Sequence, residues 1–209
     1  MGNVNIITKY FDELYSDPKC ALKFSSDYEL LVAVVLSAQC TDKRVNEVTK
    51  ELFKHANTPQ QMLNLGQDKL KSLIYSCGFY NSKSKAIISL SQDLIDKYNG
   101  VVPKTMDELT SLKGVGRKTA NVVLGVAFNE QAIAVDTHVH RISKRLGLTD
   151  KDSTPVKCEQ DLMKILPKNI WTRFHHQAIW FGREHCSSQR PKCDECKLTS
   201  ICKYYKGKK

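Results

Sequence analysis

The chain has 209 residues, 41% hydrophobic and 26% charged, and its 32 lysines and arginines outnumber its 22 acids for a net charge of +10. This composition is typical of a folded globular protein and excludes a disordered one. The longest apolar stretch, 30–36, is too short to cross a bilayer and no secretory signal pattern opens the chain, so we expect a cytoplasmic protein that binds no membrane.

Apolar residues recur at helical spacing along nearly the whole chain, and no segment alternates as a strand does. The predicted helices are, in chain order, VNIITKYFDELY, YELLVAVVLSA, KRVNEVTKELFKH, PQQMLNL, QDKLKSLIYSC, SKAIISLSQDLIDKY, TMDELTSL, TANVVLGVAF, THVHRISKRLGL, CEQDLMKIL and FHHQAIWFGREHC. Short connectors with Gly, Pro or Asn separate them, and Thr58 and Ser82 are expected to cap the helices that follow. The sequence therefore predicts an all-α protein of ten or eleven short helices.

The excess of basic residues favours a polyanionic partner, nucleic acid first. Charge alone is equally compatible with a basic protein that has no special partner. The choice between the two depends on motifs.

The stretch LKGVGRKTANVV predicts a tight turn at Gly114 and Gly116, with a new helix beginning near Arg117. Glycines let a backbone approach a bulky anion, and the N–H groups at a helix start favour a phosphate. For an isolated G-x-G an ordinary helix–helix turn is the better interpretation. The basic residues around this one, Lys113, Arg117 and Lys118, favour phosphate binding.

Lys118 lies in the first turn of that predicted helix, beside Arg117. Both the helix dipole and the neighbouring cation disfavour an ammonium there, and a neutral amine can form a Schiff base. A solvated lysine that binds phosphate is an equal alternative. Asp136, in AIAVDTHVHR, also has two interpretations: the N-cap of a helix, or a carboxylate that takes a proton and stabilises positive charge.

Four cysteines follow the spacing C-x6-C-x2-C-x5-C near the end of the chain: Cys186, Cys193, Cys196 and Cys202. Four thiolates so close in sequence can surround one metal site, which by chemistry alone is structural zinc or a four-iron cluster. Zinc sites more often pair two C-x2-C knuckles, and only one is present here. Disulfides are the least favoured choice in a reducing compartment.

These motifs together resemble the helix-hairpin-helix DNA glycosylases of the endonuclease III type. The likeness runs from LSAQCTD and GFYNSK through LKGVGRKTANVVL and VDTHVHR to the terminal cysteines, in the family order. One departure is Lys113, where bacterial members often have proline. A second is Phe79 in GFYNSK, where members often have leucine.

The resemblance implies a base-excision DNA N-glycosylase and abasic-site lyase that removes oxidised pyrimidines from duplex DNA. Lys118 would attack the sugar as a Schiff-base nucleophile and the strand would be cut 3′ to the site by β-elimination, with Asp136 assisting. The four cysteines would hold one structural [4Fe–4S] cluster. The implied DNA contacts are the hairpin, two loops that reach the flipped-out base and the loop between the first two cysteines: Lys113, Gly114, Val115, Gly116, Arg117, Gln39, Phe79, Arg190 and Lys192.

The family architecture implies two helical lobes with DNA across the cleft between them. The central lobe would span 20–130, with the hairpin motif at about 107–126, and the second would join 1–19 to 131–209 and carry the cluster loop, 186–202. We expect a monomer that binds double-stranded DNA and is therefore associated with the nucleoid. Two alternatives stay open: relatives that remove mismatched thymine or adenine, which Lys118 argues against, and a non-catalytic DNA-binding module.

Overall fold

The computed structural model describes residues 2–207, and these are helical without any β-strand. Twelve α-helices occur in this range: α1 (Gly2–Leu14), α2 (Asp27–Leu36), α3 (Asp42–His55), α4 (Pro59–Leu65), α5 (Gln67–Ile74), α6 (Tyr80–Tyr98), α7 (Met106–Ser111), α8 (Arg117–Ala127), α9 (Thr137–Leu146), α10 (Pro155–Ile165), α11 (Trp171–Glu184) and α12 (Lys203–Lys206). Short 3-10 turns cover Tyr75–Cys77, Lys168–Ile170 and Cys193–Glu195. The predicted all-α class is confirmed. None of the helices in the described range is long and apolar enough to span a membrane.

The chain divides into two compact units, and Cys20–Asn129 forms one of them. Its central element is α2, which is buried from Tyr28 to Leu36 and packs against α3, α6 and α8. A helix that is apolar on every side belongs in the middle of a core. One of the free N–H groups at the start of α2 finds a partner nearby, because the Ser26 side chain accepts a hydrogen bond from the Glu29 N–H.

The second unit combines the chain before Cys20 with the chain after Asn129. Its core joins α1, α9, α10 and α11, and an aromatic cluster lies at its centre. The Phe11 ring is 5.6 Å from the Phe174 ring and 5.0 Å from the Phe181 ring, between centroids, and all three side chains are buried. Such aromatic pairs add to the stabilisation that comes from apolar burial alone.

The two predicted caps have different outcomes. Thr58 caps α4 as expected, since its hydroxyl accepts from the Gln61 N–H at 3.3 Å. The expectation for Ser82 is wrong: α6 begins at Tyr80, and the Ser82 hydroxyl donates to the Phe79 carbonyl from inside the first turn. Phe79 is the N-cap and has left-handed backbone angles, which a hydrophobic pattern does not reveal.

Candidate active site

The hairpin turn between α7 and α8 is anchored by two buried side chains, Leu112 and Val115. The Val115 N–H donates to the Leu112 carbonyl at 3.1 Å, which closes the turn. Between them Gly114 has a φ of +80°, and a Cβ there would lie 2.7 Å from the Cβ of Ala86 in α6. Glycine is therefore required at this position for both backbone and steric reasons.

Gly116 has a different role from Gly114. It is the N-cap of α8 with extended angles, φ −92° and ψ 175°, which any residue can adopt, and a Cβ there would meet nothing within 4 Å. The tight reversal therefore needs only the first glycine of the predicted pair. No side chain caps α8 at this end, so its first amides face open space of the kind in which an anion can bind.

Three basic side chains surround this helix start. Lys113 lies in the turn, and Arg117 and Lys118 occupy the first two positions of α8. All three are exposed. The predicted start of the helix at Arg117 is confirmed, and the structure brings the predicted nucleophile and the predicted phosphate-binding backbone together on one surface.

Asp136 is the N-cap of α9, and its side chain accepts from the Val139 N–H at 2.8 Å. This confirms the capping interpretation, and the hydrogen bond fixes the carboxylate at the helix start. The carboxylate also acts on His138, whose pKa is lowered by burial while the charge of Asp136 opposes that shift. The side chain is only half-buried, so capping leaves it accessible.

Gln39 and Phe79 are both exposed and both have left-handed backbone angles, with φ of +52° and +47°. Gln39 follows the end of α2, and Phe79 precedes α6 with 64% of its surface exposed. Glutamine and phenylalanine are strained in this conformation, and strained residues cluster at functional sites. The sequence motifs indicated both residues but not their strain.

Lys83 is a buried lysine that the sequence reasoning missed. Its side chain is only 6% exposed, and its ammonium donates to the carbonyls of Leu36 and Cys77, each at 2.9 Å. Burial lowers the pKa of Lys83. One ammonium thus ties the end of α2, before Gln39, to the 3-10 turn before Phe79. A signal existed, because position 83 shares the buried face of α6 with Ile87, Leu90 and Leu94.

The four C-terminal cysteines are all half-buried. The thiol of Cys196 is close enough to feel the charges of Cys186, Cys193 and Cys202. Burial raises the pKa of Cys186 and of Cys196, so their thiolate forms need a positive partner. Within residues 2–207 no group of three or more His, Cys, Asp or Glu side chains is arranged to hold a metal ion.

Arg145 organises the segment that begins at Cys186, and the sequence reasoning missed it. Its guanidinium donates to the carbonyls of Ser187 at 2.7 Å and Ser188 at 2.8 Å, and to the Cys186 sulfur at 3.1 Å. Its other face lies on the ring of Tyr204 at 4.1 Å. Nothing in the local spacing marks this arginine, because its partners are more than forty residues further along the chain.

Arg190 and Lys192 lie in the same loop and are exposed. The Lys192 N–H donates to the His185 carbonyl at 2.8 Å, which pins the loop beside the end of α11. Because Arg145 binds the Ser187 and Ser188 carbonyls at the start of the loop, the backbone that carries Arg190 and Lys192 is held at both ends.

Residues 32–168 match a family described as HhH-GPD superfamily base excision DNA repair protein. The chain therefore belongs to the HhH-GPD superfamily. Within it, the chain is similar to endonuclease III of Bacillus subtilis, with 48% identity over 91% of this chain and 87% of that protein. It is also similar to endonuclease III of Haemophilus influenzae, with 45% identity over 96% of this chain and 94% of that protein.

Solved structures extend the likeness. A trapped covalent intermediate of endonuclease III with DNA matches with a TM-score of 0.96 and 47% identity, covering 99% of this chain and 97% of that one. A thermostable thymine-DNA glycosylase, at 20% identity and a TM-score of 0.83, shares the fold alone. The predicted family and the predicted class, a base-excision DNA glycosylase and abasic-site lyase, are confirmed.

Proposed function

We propose that this chain removes oxidised pyrimidines from double-stranded DNA and then cuts the strand, with Lys118 as the nucleophile. The observation that carries the proposal is the position of Lys118: an exposed amine in the first turn of α8, directly after the uncapped N-terminus at Gly116. Its support from outside the chain is the trapped covalent endonuclease III–DNA intermediate, which matches this fold at 47% identity.

The reaction proceeds in two steps. The Lys118 amine, deprotonated, attacks C1′ of the damaged nucleotide; the C1′–N bond breaks and the base leaves with the electron pair and a proton. The sugar ring then opens: the C1′–O4′ bond breaks, O4′ takes up a proton, and the lysine nitrogen forms a double bond to C1′. The resulting imine acidifies the C2′ hydrogen, and its removal expels the 3′ phosphate by β-elimination. Water then hydrolyses the imine and restores the lysine.

Asp136 takes the proton from Lys118 and stabilises the positive charge that develops on the sugar. The hydrogen bond from Val139 engages one carboxylate oxygen of Asp136, which orients the group and leaves the second oxygen for this work. We propose that the two reactive side chains come one from each lobe: Lys118 from the central lobe, 20–130, and Asp136 from the lobe that joins 1–19 to 131–209.

The DNA contacts divide by chemistry. The backbone amides of Gly114, Val115 and Gly116 bind a phosphate, and the side chains of Lys113 and Arg117 add positive charge beside them. The open space at Gly116 supports this assignment, because an approaching phosphate oxygen would meet no Cβ there.

A second group of residues acts on the base stack and on the backbone beyond it. Gln39 enters the space vacated by the flipped base, and Phe79 wedges against the opposite strand. Arg190 and Lys192 contact the backbone further along the duplex.

The four cysteines, Cys186, Cys193, Cys196 and Cys202, hold one [4Fe–4S] cluster. The donor set fits: four half-buried thiols lie near one another, and Arg145 donates to the Cys186 sulfur, as is usual for cluster thiolates. The cluster is structural and takes no part in the reaction. Visible absorption near roughly 400 nm, with iron and sulfide but no stoichiometric zinc, is the expected result for an anaerobic preparation.

Borohydride trapping on a duplex that carries one thymine glycol tests the proposal. The wild type is expected to give a covalent protein–DNA adduct and Lys118→Gln none, while both bind the duplex. Lys113→Gln is the matched control: it removes an exposed lysine from the same hairpin and is expected to weaken binding but keep the adduct. An adduct with Lys118→Gln would assign the nucleophile to another amine and refute the role of Lys118. No adduct with the wild type on thymine-glycol and abasic DNA would favour a non-catalytic binding module.

We propose that the protein is cytoplasmic, that it is associated with the nucleoid through its DNA substrate, and that it acts as a monomer. Every reactive residue named above comes from a single chain. The trapping yield per protein molecule is expected to be independent of protein concentration when the duplex is in excess.

A further inference from the structure

Two cysteines outside the C-terminal group lie side by side. Cys40 directly follows Gln39, and Cys77 ends the 3-10 turn that precedes Gly78 and Phe79. The side chains of Cys40 and Cys77 are hydrogen-bonded to each other although the residues are far apart in sequence, and Lys83 holds their two segments together through the carbonyls of Leu36 and Cys77. The proposed function uses neither of them.

The buried ammonium of Lys83 lies at the same place. It donates to the Cys77 carbonyl, and its charge interacts with both sulfurs. The charge of Lys83 lowers the pKa of the Cys77 thiol, but burial, which raises it, is the larger effect. Because the same ammonium also binds the Leu36 carbonyl, it holds the end of α2, four residues before Cys40, beside the turn that contains Cys77.

The two thiols differ in access. Cys40 is partly exposed, whereas Cys77 is 2% exposed. Burial raises the pKa of the Cys77 thiol to about 12. A small oxidant from solution therefore reaches Cys40 first, and Cys77 is placed to react with whatever forms there.

We propose that Cys40 and Cys77 form a reversible disulfide when the protein meets a hydroperoxide. The Cys40 thiolate attacks the terminal oxygen of the hydroperoxide, the O–O bond breaks, and Cys40 becomes a sulfenic acid. The leaving group is an alkoxide, or hydroxide in the case of hydrogen peroxide, and it takes up a proton to become an alcohol or water. The Cys77 sulfur then attacks the Cys40 sulfur; the S–O bond breaks, an S–S bond forms, and water leaves with the Cys77 proton. Two thiols are oxidised and one peroxide is reduced, and a dithiol reverses the reaction by exchange.

The crosslink would join the two segments that present Gln39 and Phe79. Both residues are already in strained left-handed conformations, and the disulfide would restrain the segments further. On the assumption that these residues enter the DNA as proposed above, which is the part of the inference that rests on the proposed function, the oxidised protein would capture a flipped nucleotide less readily.

Peptide mapping tests the disulfide without any activity assay. The intact protein is treated with hydrogen peroxide, free thiols are alkylated, and the digest is analysed by mass spectrometry. A Cys40–Cys77 peptide pair that disappears on treatment with dithiothreitol is the expected result, with buried Cys158 alkylated only after denaturation. In Cys77→Ala the partner thiol is gone, so Cys40 is expected as sulfenic or sulfinic acid. Wild-type Cys40 oxidised further while Cys77 stays a thiol would overturn the proposal.

Borohydride trapping then measures the consequence. Wild type treated with peroxide is expected to trap abasic DNA several-fold more slowly than the reduced protein and to recover with dithiothreitol, while treated Cys77→Ala is the control for oxidation elsewhere. Equal slowing in both proteins would refute a role for the disulfide. If reduced wild type failed to trap DNA at all, the proposed function would be wrong, but the peptide map would still decide the disulfide.

Discussion

The hairpin contains a matched pair of glycines whose replacement by alanine should have opposite consequences. At Gly114 an alanine would have to adopt a φ of +80°, and its Cβ would lie 2.7 Å from the Cβ of Ala86. Left-handed angles cost an alanine about 1–2 kcal/mol, and forcing an extra carbon into a packed contact costs about 1–3 kcal/mol. We therefore expect Gly114→Ala to lower the free energy of unfolding by about 2–5 kcal/mol.

Gly116→Ala should behave differently. Its angles suit an alanine and its Cβ would meet nothing within 4 Å. Alanine is a poorer N-cap than glycine, by up to about 1 kcal/mol, but it also restricts the unfolded chain, which stabilises by about 0.4–1 kcal/mol. The two effects offset each other, so stability should hardly change. If a phosphate approaches this backbone, the added methyl group should instead weaken DNA binding.

The assays are urea denaturation, for the free energy of unfolding of each variant, and equilibrium binding to a duplex with a stable abasic-site analogue. Gly114→Ala should shift the denaturation midpoint strongly, and Gly116→Ala should shift the dissociation constant with the midpoint nearly in place. Equal destabilisation by both would refute the steric argument. Unchanged affinity of Gly116→Ala would refute phosphate binding at this backbone.

Three further predictions concern the second unit. Asp136→Asn retains an oxygen that accepts from Val139, so its unfolding free energy should stay within about 0.5 kcal/mol of wild type while strand cleavage falls by roughly 100-fold or more; Asp136→Ala should also lose about 0.5–2 kcal/mol of cap energy. Burial lowers the pKa of His176 from 6.5 to about 4. The contribution of neutral His176 to stability is therefore complete above about pH 6.5 and is lost as pH falls towards 4. Between pH 7.5 and pH 4.5 the wild type should lose about 2–3 kcal/mol more unfolding free energy than His176→Gln, which urea denaturation at the two pH values measures. Arg145→Lys keeps the charge but loses the planar fork held against the Cys186 loop, so urea denaturation should show a loss of about 1–3 kcal/mol, with no loss contradicting the bridge.

The helices were predictable because the core of each unit is built from apolar residues at helical spacing. The prediction for α4 was correct to the residue, since Thr58 and Pro59 mark its start chemically and both signals are local. The start of α6 was misplaced because its cap, Phe79, is neither polar nor glycine. A left-handed phenylalanine is imposed by surrounding structure, and no local pattern encodes it.

In the candidate site, too, the features marked by local sequence were predictable and those imposed by distant parts of the chain were not. The local pattern places Lys118 and Asp136 at helix starts, and the resemblance to the endonuclease III type supplied the roles predicted for them. Arg145 could not be predicted, because it acts on carbonyls that follow α11. Most of the hydrogen bonds from Arg145 go to backbone carbonyls, which every residue has, and its one side-chain acceptor is the Cys186 sulfur. The partner segment therefore carries no acidic residue that would have revealed the pair.

In the unit formed by Cys20–Asn129, the burial of Lys83 and the strained backbone of Gln39 and Phe79 explain each other. The left-handed angles of Gln39 and Phe79 destabilise the fold by about 1–3 kcal/mol each, so something nearby must hold these turns in place. The Lys83 ammonium binds the carbonyls of Leu36 and Cys77, three residues before Gln39 and two before Phe79. Bonds from a charged group to buried carbonyls contribute about 1.5–3 kcal/mol each, which is of the size needed. A buried lysine at this position is therefore better understood as the support for two strained turns than as an isolated defect in an apolar helix face.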